Sequence, residues 1–236
     1  MDVHSKRAVS TNAKYDDAPS VDLQRWCLEH WNVPFAIDND ARAATVGEWQ
    51  FGIARGKENI VMMTIGTGIG TGVVLEGRVL YGQHCRAGAL GGHLIVDYKG
   101  RQCSCGNIGC VEAHASSFFL PQIVRDNKRL NREFAMDTVN YDFKNLFTQV
   151  SAGVADAKLV IEDCISVWSA AIVNYIHAYD PQIVILGGGI MKSGNLILPY
   201  IRERVNALAW YPNEKVEIVA SSLGDNAALV AAEYYF

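Results

Sequence analysis

The sequence predicts an α/β fold with a partly parallel sheet. Two observations support this prediction: helix and strand patterns alternate over the last third of the chain, and two strand patterns surround a glycine-rich turn further upstream. Such alternation is typical of domains in which helices cover a sheet that is at least partly parallel. The sequence shows no internal repeat and no low-complexity segment, and no linker marks a clean domain boundary.

The first half of the chain predicts two helices separated by a strand, followed by a pair of strands. The segment VPFAIDND is typical of a short buried strand, and ARAATVGEWQFG of a helix that Gly52 closes. NIVMMTIG and TGVVLEGRVLYG predict strands on either side of the glycine turn, and the second folds back at Glu76-Gly77. The first helix, SVDLQRWCLEHW, has Ser20 as its candidate cap, and one of its faces carries Leu23, Trp26, Cys27, His30 and Trp31.

The second half predicts helices that alternate with strands. Residues 117–145 are mixed and mostly helical, and the clearest helix of the chain, KLVIEDCISVWSAAIVNYIHAY, ends at Asp180-Pro181. QIVILGGG is typical of a fully buried strand, and a helix over about residues 195–208 comes next. The strand KVEIVAS and a last helix, NAALVAAEYY, complete the pattern.

The composition is that of an ordinary soluble globular protein. Of the 236 residues 50% are hydrophobic and 19% are charged, and the net charge of −4 does not suggest a nucleic-acid surface. No run approaches the roughly 18 apolar residues of a membrane span, and the polar start lacks the apolar core of a signal peptide. We therefore expect a cytoplasmic protein with reduced thiols, and neither nucleic acid nor membrane as a partner.

The most specific motif is the group of Cys103, Cys105 and Cys110, spaced C-x-C-x4-C. Gly106 and Gly109 allow the tight turn that aims three thiolates at one point. In a reducing compartment such clustering favours a metal over disulfides. Structural zinc takes four ligands, so the group requires one more.

The fourth ligand that the sequence favours is His93, in the segment GGHLIVDY just upstream. Three sulfurs and one nitrogen fill the zinc shell and leave no position for an activated water, so the predicted zinc is structural. It would hold the loop of His93 next to the loop of Glu112. The alternative interpretation is a set of thiols without a metal. Other residues weighed as the fourth ligand are His84, Cys85 and His114, and the cysteines expected in the core are Cys27 and Cys164.

The segment TIGTGIGTG suggests a nucleotide site but not a dinucleotide fold. Gly66, Gly68, Gly70 and Gly72 alternate, so the fingerprint G-x-G-x-x-G is not met, and a strand follows where that fingerprint requires a helix. A glycine-rich turn between two strands can still present backbone N–H groups to phosphate, with Thr67 adding a hydroxyl. The alternative is a glycine-tolerant hairpin that binds nothing.

A second glycine turn, Gly187–Gly189 in ILGGGI, lies between a buried strand and a helix. Glycines at such a point let a planar ring or a ribose approach the backbone closely. The alternative is a tight strand-to-helix connection without a ligand.

Taken together, five motifs resemble the ROK family (repressors, open reading frames and sugar kinases) of the actin-like ATPase superfamily. They are DNDARAA, TIGTGIGTG, GGH, CSCGNIGCVE and ILGGGI, in the family's order and approximate spacing, and they run from Asp38 to Ile190. The resemblance implies an actin-like ATPase (ribonuclease H-like) fold. It also implies an ATP- and magnesium-dependent kinase for a hexose or N-acetylhexosamine. Separately, we expect the chain to self-associate through uncovered apolar surface, as a homodimer.

The resemblance also implies roles for individual residues. Asp40 matches the catalytic base, which takes the proton of a sugar hydroxyl as the γ-phosphoryl group transfers. Without the resemblance, residues 38–40 would be interpreted as a helix-capping cluster. The other matches are Asn39, His93 and Glu112 to the sugar contacts, with His93 also binding zinc, Gly66, Thr67 and Gly68 to the second phosphate loop, and Gly187, Gly188 and Gly189 to the adenosine loop.

The sequence departs from the family pattern in two places. Leu90 stands where many family kinases have a Glu that also holds the sugar. No D-x-G-G-T-like first phosphate loop precedes Asp40, so the resemblance implies a nearly complete large domain and a mostly missing N-terminal small domain. We expect residues 1–54 to be its remnant and residues 55–236 the large domain, with the last helix packing back on the remnant. Trp26 and Trp31 would then be exposed or covered by another chain.

Two other functions stay open at this point. One is the sugar-sensing domain of a ROK transcriptional repressor, although the sequence supplies neither a helix-turn-helix nor a basic face. The other is a non-catalytic sugar-binding remnant, which Leu90 and the short N-terminal region favour. DNDA and the alternating glycines favour the kinase. Because no first phosphate loop is found, we expect this chain alone to bind a sugar weakly at most and to show no measurable kinase turnover.

Overall fold

The computed structural model describes residues 1–9, 17–136, 141–211 and 215–236. A five-stranded mixed sheet lies at its centre, made of β1 (Ile60–Ile65), β2 (Ile69–Leu75), β3 (Arg78–Val79), β4 (Ile183–Gly187) and β5 (Glu217–Ala220). The strand order is β3-β2-β1-β4-β5, with β1, β4 and β5 parallel and β2 and β3 antiparallel to their neighbours. The predicted α/β class with a partly parallel sheet is confirmed.

Helices cover both faces of this sheet. Among the described residues they are α1 (Leu23–Trp31), α2 (Asp40–Gln50), α3 (Val111–Ala115), α4 (Leu120–Asp126), α5 (Arg132–Met136), α6 (Phe143–Ser151), α7 (Ala155–Tyr179), α8 (Gly194–Leu208) and α9 (Ala227–Val230). The predicted mostly helical region is confirmed where it is described, and its residues 137–140 lie outside the described part.

The two faces of the sheet have separate cores. On one face, α7 and α8 pack over Val61, Met63 and Val184, with Trp168 fully buried. On the other face, α2 and α9 pack over strand residues such as Met62. Successive strand residues point to opposite faces, so the continuous apolar run of β1 is explained by burial on both sides.

Helix α7 is long and apolar enough to span a membrane by length and composition. Its apolar residues are interrupted by polar ones such as Glu162 and Asp163, so the helix contains no uninterrupted apolar run of that length. Of the most apolar 18-residue window, 56% is buried inside the fold. The buried side chains of this helix include Trp168, Ile172 and Tyr175, so packing across the sheet accounts for its apolar sequence.

Two local predictions upstream of α2 are wrong. Residues 33–37 belong to the segment predicted as a buried strand. They pair with no strand in the described part of the chain, and each of them is exposed or partly exposed. The cap of α1 is Asp22, whose side chain accepts a hydrogen bond from the backbone N–H of Arg25, and Ser20 instead ends a 3-10 turn. On α1 only Cys27 is buried, while Trp31 is 61% exposed.

Helix α2 lies directly on the sheet and on the last helix. A Cβ atom on Gly47 would come within 1.9 Å of the carbonyl oxygen of Ala227, so α2 and α9 cross with their backbones in contact. This crossing brings the C-terminal region next to the segment that begins at Asp40. The division of the chain at residue 54 stays a prediction.

Candidate functional site

The two glycine turns lie side by side at one edge of the sheet. Strands β1 and β4 are parallel neighbours, and Thr64 pairs with Gly187 at their carboxyl ends. The turn after β1 and the turn after β4 therefore leave the sheet at the same edge, which is where open α/β sheets bind ligands.

A cavity of about 340 Å³ lies between these turns. This volume is at the lower end of the range for small-molecule pockets. It is lined by Gly66, Thr67, Ser117, Asp142, Phe143, Lys144, Phe147, Gly189, Ile190, Lys192 and Ser193. Of the six glycine-turn residues predicted to bind nucleotide, three therefore line it.

Glycine is required at the centre of the second turn. Gly188 has a φ of 87°, and a Cβ atom there would lie 2.4 Å from the carbonyl oxygen of Ile65. At Gly66 and Gly189, by contrast, a Cβ atom would meet no atom within 4 Å. The fold therefore requires glycine at position 188, whereas Gly66 and Gly189 border open space next to the cavity.

The alternation of glycines in TIGTGIGTG has a structural explanation. A Cβ atom would lie 2.4 Å from Glu112 Oε2 at Gly68, 2.7 Å from Ala41 Cβ at Gly70 and 2.0 Å from Thr45 Oγ1 at Gly72. Each glycine thus makes room for a neighbouring side chain. They bring the start of α2 and the glutamate of α3 against the beginning of β2.

Asn39 and Asp40 form the N-terminal turn of α2. The Asn39 side chain is the N-cap and accepts a hydrogen bond from the backbone N–H of Arg42 at 3.1 Å. Asp40 is exposed, and its Oδ1 accepts from the backbone N–H of Ala41 at 2.8 Å. A helix N-terminus favours negative charge, so the Asp40 carboxylate is electrostatically stabilised where it meets solvent.

Behind this turn lies a polar network that sequence reasoning missed. The carboxylate of Asp38 pairs with the Arg42 guanidinium at 2.6 Å, and both side chains are almost fully buried. Tyr81 and Tyr235 donate their hydroxyls to the same carboxylate. The i,i+4 spacing of Asp38 and Arg42 was a usable signal for the ion pair, but the two tyrosines are distant in sequence and gave none.

The four residues of the predicted metal cluster lie together. The ligand atoms of His93, Cys103, Cys105 and Cys110 are all within 4.8 Å of one another. Cys105 Sγ lies 3.7 Å from Cys110 Sγ, and Cys103 Sγ lies 3.6 Å from His93 Nδ1. In a zinc tetrahedron with bonds of about 2.3 Å to sulfur and about 2.05 Å to nitrogen, these edges would be about 3.8 and 3.6 Å. The donor set and its geometry fit zinc.

The negative charges of the three thiolates also favour a metal ion at this cluster. Burial and the neighbouring thiols raise the pKa of Cys110 above that of an ordinary thiol. Three thiolates at these separations repel one another, and a divalent cation removes that cost. The cluster is therefore built for a cation.

The alternative fourth ligands lie elsewhere. The Nε2 atom of His114 accepts a hydrogen bond from the backbone N–H of Arg101 at 3.1 Å, and burial, with the Arg101 charge, lowers its pKa. The carbonyl of Cys85 accepts from Arg42, and its thiol faces Asp2. His84, like these two, is outside the cluster of metal-ligand atoms found in the described residues. Cys164 lies on α7 and is fully buried in the hydrophobic core.

Glu112 connects the cysteine-rich loop to the first glycine turn. Its Oε2 accepts from the backbone N–H of Ile69 at 2.9 Å, and its Oε1 is 3.4 Å from Ser104 Oγ. The backbone N–H groups of Ser117 and Phe118, just after α3, donate to the carbonyls of Gly66 and Thr67 at 3.0 Å. The loop and the turn therefore form one hydrogen-bonded unit.

The turn that carries His93 is held on β2. A Cβ atom on Gly92 would lie 1.9 Å from the carbonyl oxygen of Ile69, so this 3-10 turn, Gly91–His93, packs directly against the strand. The Nδ1 atom of His93 faces Cys103, which leaves Nε2 on the opposite side of the ring. Leu90, immediately before the turn, is 49% exposed.

Comparison with known proteins gives this arrangement a family. The ROK family model matches residues 3–236. A glucokinase of Thermotoga maritima is 35% identical over 207 residues, covering 83% of this chain and 63% of the glucokinase. A xylose repressor of Bacillus subtilis is 31% identical over 229 residues, covering 96% of this chain and 56% of the repressor. The chain spans less than two thirds of either relative.

A solved structure establishes the fold in the same way. The ROK family glucokinase of Streptomyces griseus, solved in complex with glucose and AMPPNP, matches with a TM-score of 0.84 at 24% identity, covering 99% of this chain and 78% of that one. The actin-like ATPase fold that the sequence motifs implied is confirmed. Because the family model extends over almost the entire chain, this protein belongs to the ROK family.

Proposed function

We propose that the chain carries the sugar- and nucleotide-binding residues of a cytoplasmic ATP-dependent sugar kinase. The reaction transfers the γ-phosphoryl group of ATP to a hydroxyl of a hexose or an N-acetylhexosamine. The observation that carries this proposal is the convergence of both glycine turns, the Asp40 turn and the His93 cluster around one edge of the sheet. The 35% identity to a glucokinase supports it.

In this proposal Asp40 is the general base. A sugar hydroxyl is a weak nucleophile, and a carboxylate within hydrogen-bond reach takes its proton as the phosphoryl group transfers. The Asp40 carboxylate suits this role because it is exposed at the N-terminus of α2. If no substrate contacted it, this carboxylate would only interact favourably with the dipole of α2.

The sugar contacts are proposed to be Asn39, His93 and Glu112. One oxygen of Glu112 accepts from the N–H of Ile69, and the other, Oε1, accepts from the exposed Ser104 hydroxyl at 3.4 Å. A carboxylate oxygen has two lone pairs, so Oε1 can also accept from a sugar hydroxyl. For His93 the corresponding atom is Nε2, because Nδ1 faces the metal cluster. Fixing one ring nitrogen in this way orients the other toward the substrate.

The nucleotide is proposed to bind in the cavity between the glycine turns. The backbone of Gly66–Gly68 and the hydroxyl of Thr67 would hold phosphate, and Gly187–Gly189 would border the adenosine. Lys144 and Lys192 line the same cavity and add positive charge near the phosphates. Magnesium bound to the nucleotide would neutralise charge on the transferring group.

We propose zinc as the ion of the His93 cluster, with a structural role. Cys110 is two residues from Glu112, and Glu112 bonds to the first glycine turn. A four-coordinate zinc would therefore fix the sugar contact and the phosphate turn relative to each other. We also propose that the chain forms a homodimer through the exposed aromatic face of α1, which includes Trp26 and Trp31.

Two measurements on the purified chain test the kinase proposal. A coupled ADP-release assay over a panel of hexoses and N-acetylhexosamines should detect turnover with at least one sugar in a version of the chain that also carries a first phosphate loop, and none in the chain alone. Isothermal titration calorimetry should detect AMPPNP binding, and Gly66→Ala should weaken it. A chain that binds neither the nucleotide nor any sugar of the panel would contradict the proposal.

The second candidate is the sugar-sensing part of a ROK repressor. One observation favours it: a xylose repressor aligns over 96% of this chain, more than the glucokinase does. Sugar binding without any AMPPNP binding would support this candidate over the kinase.

A further inference from the structure

A buried ion pair lies immediately behind the candidate catalytic turn, and the proposed mechanism does not use it. Asp38 Oδ1 and Arg42 Nη1 are 2.6 Å apart, and their side chains are 3% and 1% exposed. Asp38 is thus shielded from solvent, whereas Asp40, two residues on, is exposed. A substrate that reaches Asp40 does not reach this pair.

All acceptor positions of the Asp38 carboxylate are occupied. Its Oδ1 accepts from Arg42 Nη1 and from the backbone N–H of Asn39 at 2.6 and 2.7 Å. Its Oδ2 accepts from the hydroxyls of Tyr81 and Tyr235 at 3.0 and 2.9 Å. Four donors from three parts of the chain leave this carboxylate a single orientation. The N–H of Asn39 is thereby held at the start of the catalytic turn.

The arginine of the pair reaches the other side of the candidate sugar site. Its Nη2 donates to the carbonyls of Cys85 and Ala87 at 3.0 and 3.2 Å, and its guanidinium lies 4.6 Å over the Tyr81 ring. The segment that contains these carbonyls leads into the turn Gly91–His93. One guanidinium therefore binds both the segment before Asp40 and the segment before His93.

Stability alone is a weak reason for this arrangement. Burying two charges carries a desolvation cost, and a well-packed apolar pair of similar volume often serves a fold as well. What an apolar pair lacks is directional control over the backbone groups that this pair holds, namely the N–H of Asn39 and the carbonyls of Cys85 and Ala87. Those groups belong to the two segments whose relative position the proposed reaction requires to be fixed.

We propose that Asp38 and Arg42 are positioning residues that hold the Asn39–Asp40 turn in register with the His93 turn, and that the Tyr235 hydroxyl locks the Asp38 carboxylate in place. The inference rests on the proposed function for its consequence in catalysis. Its structural part, the ordering of the catalytic turn by Tyr235, is testable without any substrate.

The decisive variant is Tyr235→Phe, with Tyr234→Phe as its matched control. Tyr235→Phe removes one hydroxyl from Asp38 and keeps the ring. Tyr234 is its neighbour and contacts Trp49 through its ring, and among the described residues its hydroxyl makes no hydrogen bond that involves Asp38. Hydrogen–deuterium exchange followed by mass spectrometry is measured on peptides that cover residues 38–46 and, as a reference, the core helix α7.

A hydrogen bond to a charged group changes a local equilibrium by a factor of about ten or more. We therefore expect exchange over residues 38–46 to accelerate about tenfold in Tyr235→Phe, with α7 and the control unchanged. Unchanged exchange would overturn the proposal. Equal acceleration in α7 would also overturn it, because it would indicate a general loss of stability.

Catalysis gives a second readout, with Arg42→Lys as a second variant. Lysine keeps the charge but lacks the fork that reaches both Asp38 and the two carbonyls. For the sugar with the highest turnover, both variants should lower kcat about tenfold or more and leave the KM for ATP unchanged. A rise in KM for ATP with unchanged kcat would overturn the positioning role. Absence of turnover in the version that carries a first phosphate loop would count against the proposed function only, since the exchange experiment stands without it.

Discussion

The Oε2 atom of Glu112 accepts a hydrogen bond from the backbone N–H of Ile69 at 2.9 Å, and this contact joins the cysteine-rich loop to the first glycine turn. Glu112 follows Cys110 by two residues and lies in the first turn of α3. Any ion that orders the cysteines therefore also orders the residue that supports the turn. We therefore expect metal occupancy to affect the proposed phosphate and sugar contacts in this part of the molecule.

The first prediction concerns the metal. Elemental analysis of the purified chain should give about one zinc per chain. Cys105→Ser removes one of four ligands, so it should lose the zinc and give insoluble or molten protein, because a closed site contributes its binding free energy to folding. Cys27→Ala is the control, since Cys27 lies on α1 outside the cluster and should leave the zinc content unchanged. A well-folded protein free of zinc would contradict the prediction.

The second prediction compares two glycines of the nucleotide turns. Gly188→Ala should destabilise the fold by about 2 kcal/mol or more, because φ is positive and Cβ would collide with the carbonyl of Ile65. Gly66→Ala should change the free energy of unfolding by about 0.5 kcal/mol at most, because Cβ meets open space. Urea denaturation measures both.

Nucleotide affinity separates the two roles further. In Gly66→Ala the added methyl group borders the cavity, so AMPPNP binding by calorimetry should weaken about tenfold while the fold is retained. Unchanged affinity would show that this turn does not approach phosphate closely.

Much of the fold was readable from the sequence because its signals are local. The apolar run of β1, the turn at Glu76-Gly77 and the periodicity of α7 each lie within one continuous segment. The strand predicted in VPFAIDND is wrong because a strand also needs a partner, and the segment does not reveal one. The face of α1 that carries Trp26 and Trp31 was recognised from periodicity, which does not reveal what covers a face, and in the structure only Cys27 is buried there.

The sequence predicted contacts within the candidate site only where the residues are close in the chain. The cysteine spacing predicted a cluster that the structure brings together with His93. The hydrogen bonds between Glu112 and Ile69, between Tyr235 and Asp38, and between Ser221 and Glu48 join residues far apart in the chain. Such contacts depend on tertiary packing, which no local pattern encodes.

The third prediction concerns pH and the buried carboxylate of Glu48. It accepts hydrogen bonds from the hydroxyls of Ser221 and Ser222 and from the backbone N–H groups of Leu223 and Ile53. Burial alone raises its pKa, but these donors outweigh burial and hold the pKa below 4.5. The folded state thus prefers the ionised form, and the resulting stabilisation is fully present above the unfolded-state pKa and is lost as the pH falls through the folded-state pKa.

The matched variant is Glu48→Gln, which replaces one carboxylate oxygen with an NH₂ group that faces two of the four donors. At pH 7 it should lower the free energy of unfolding by about 1–3 kcal/mol. The difference from wild type should shrink when urea denaturation is repeated at successively lower pH, from the unfolded-state pKa down through the lowered folded-state pKa, where the wild-type carboxylate becomes protonated. Loss of zinc in acid affects both proteins and cancels in the difference. A difference that stays constant with pH would contradict the charge argument.

The last prediction tests Asp40 as the general base. Asp40→Asn keeps the shape of the side chain and an oxygen that can accept from the N–H of Ala41, but it removes the proton acceptor. For the sugar with the highest turnover in the ADP-release assay, the rate should fall by about 10² to 10⁴, while the sugar Kd from calorimetry stays within about tenfold. Asp22→Asn is the control, because Asp22 caps the first turn of α1 and the same substitution there tests the effect on a helix terminus alone. Near-normal turnover in Asp40→Asn would show that Asp40 only stabilises the N-terminus of α2. An equal loss of turnover in both variants would show that the effect comes from the helix terminus and not from proton transfer.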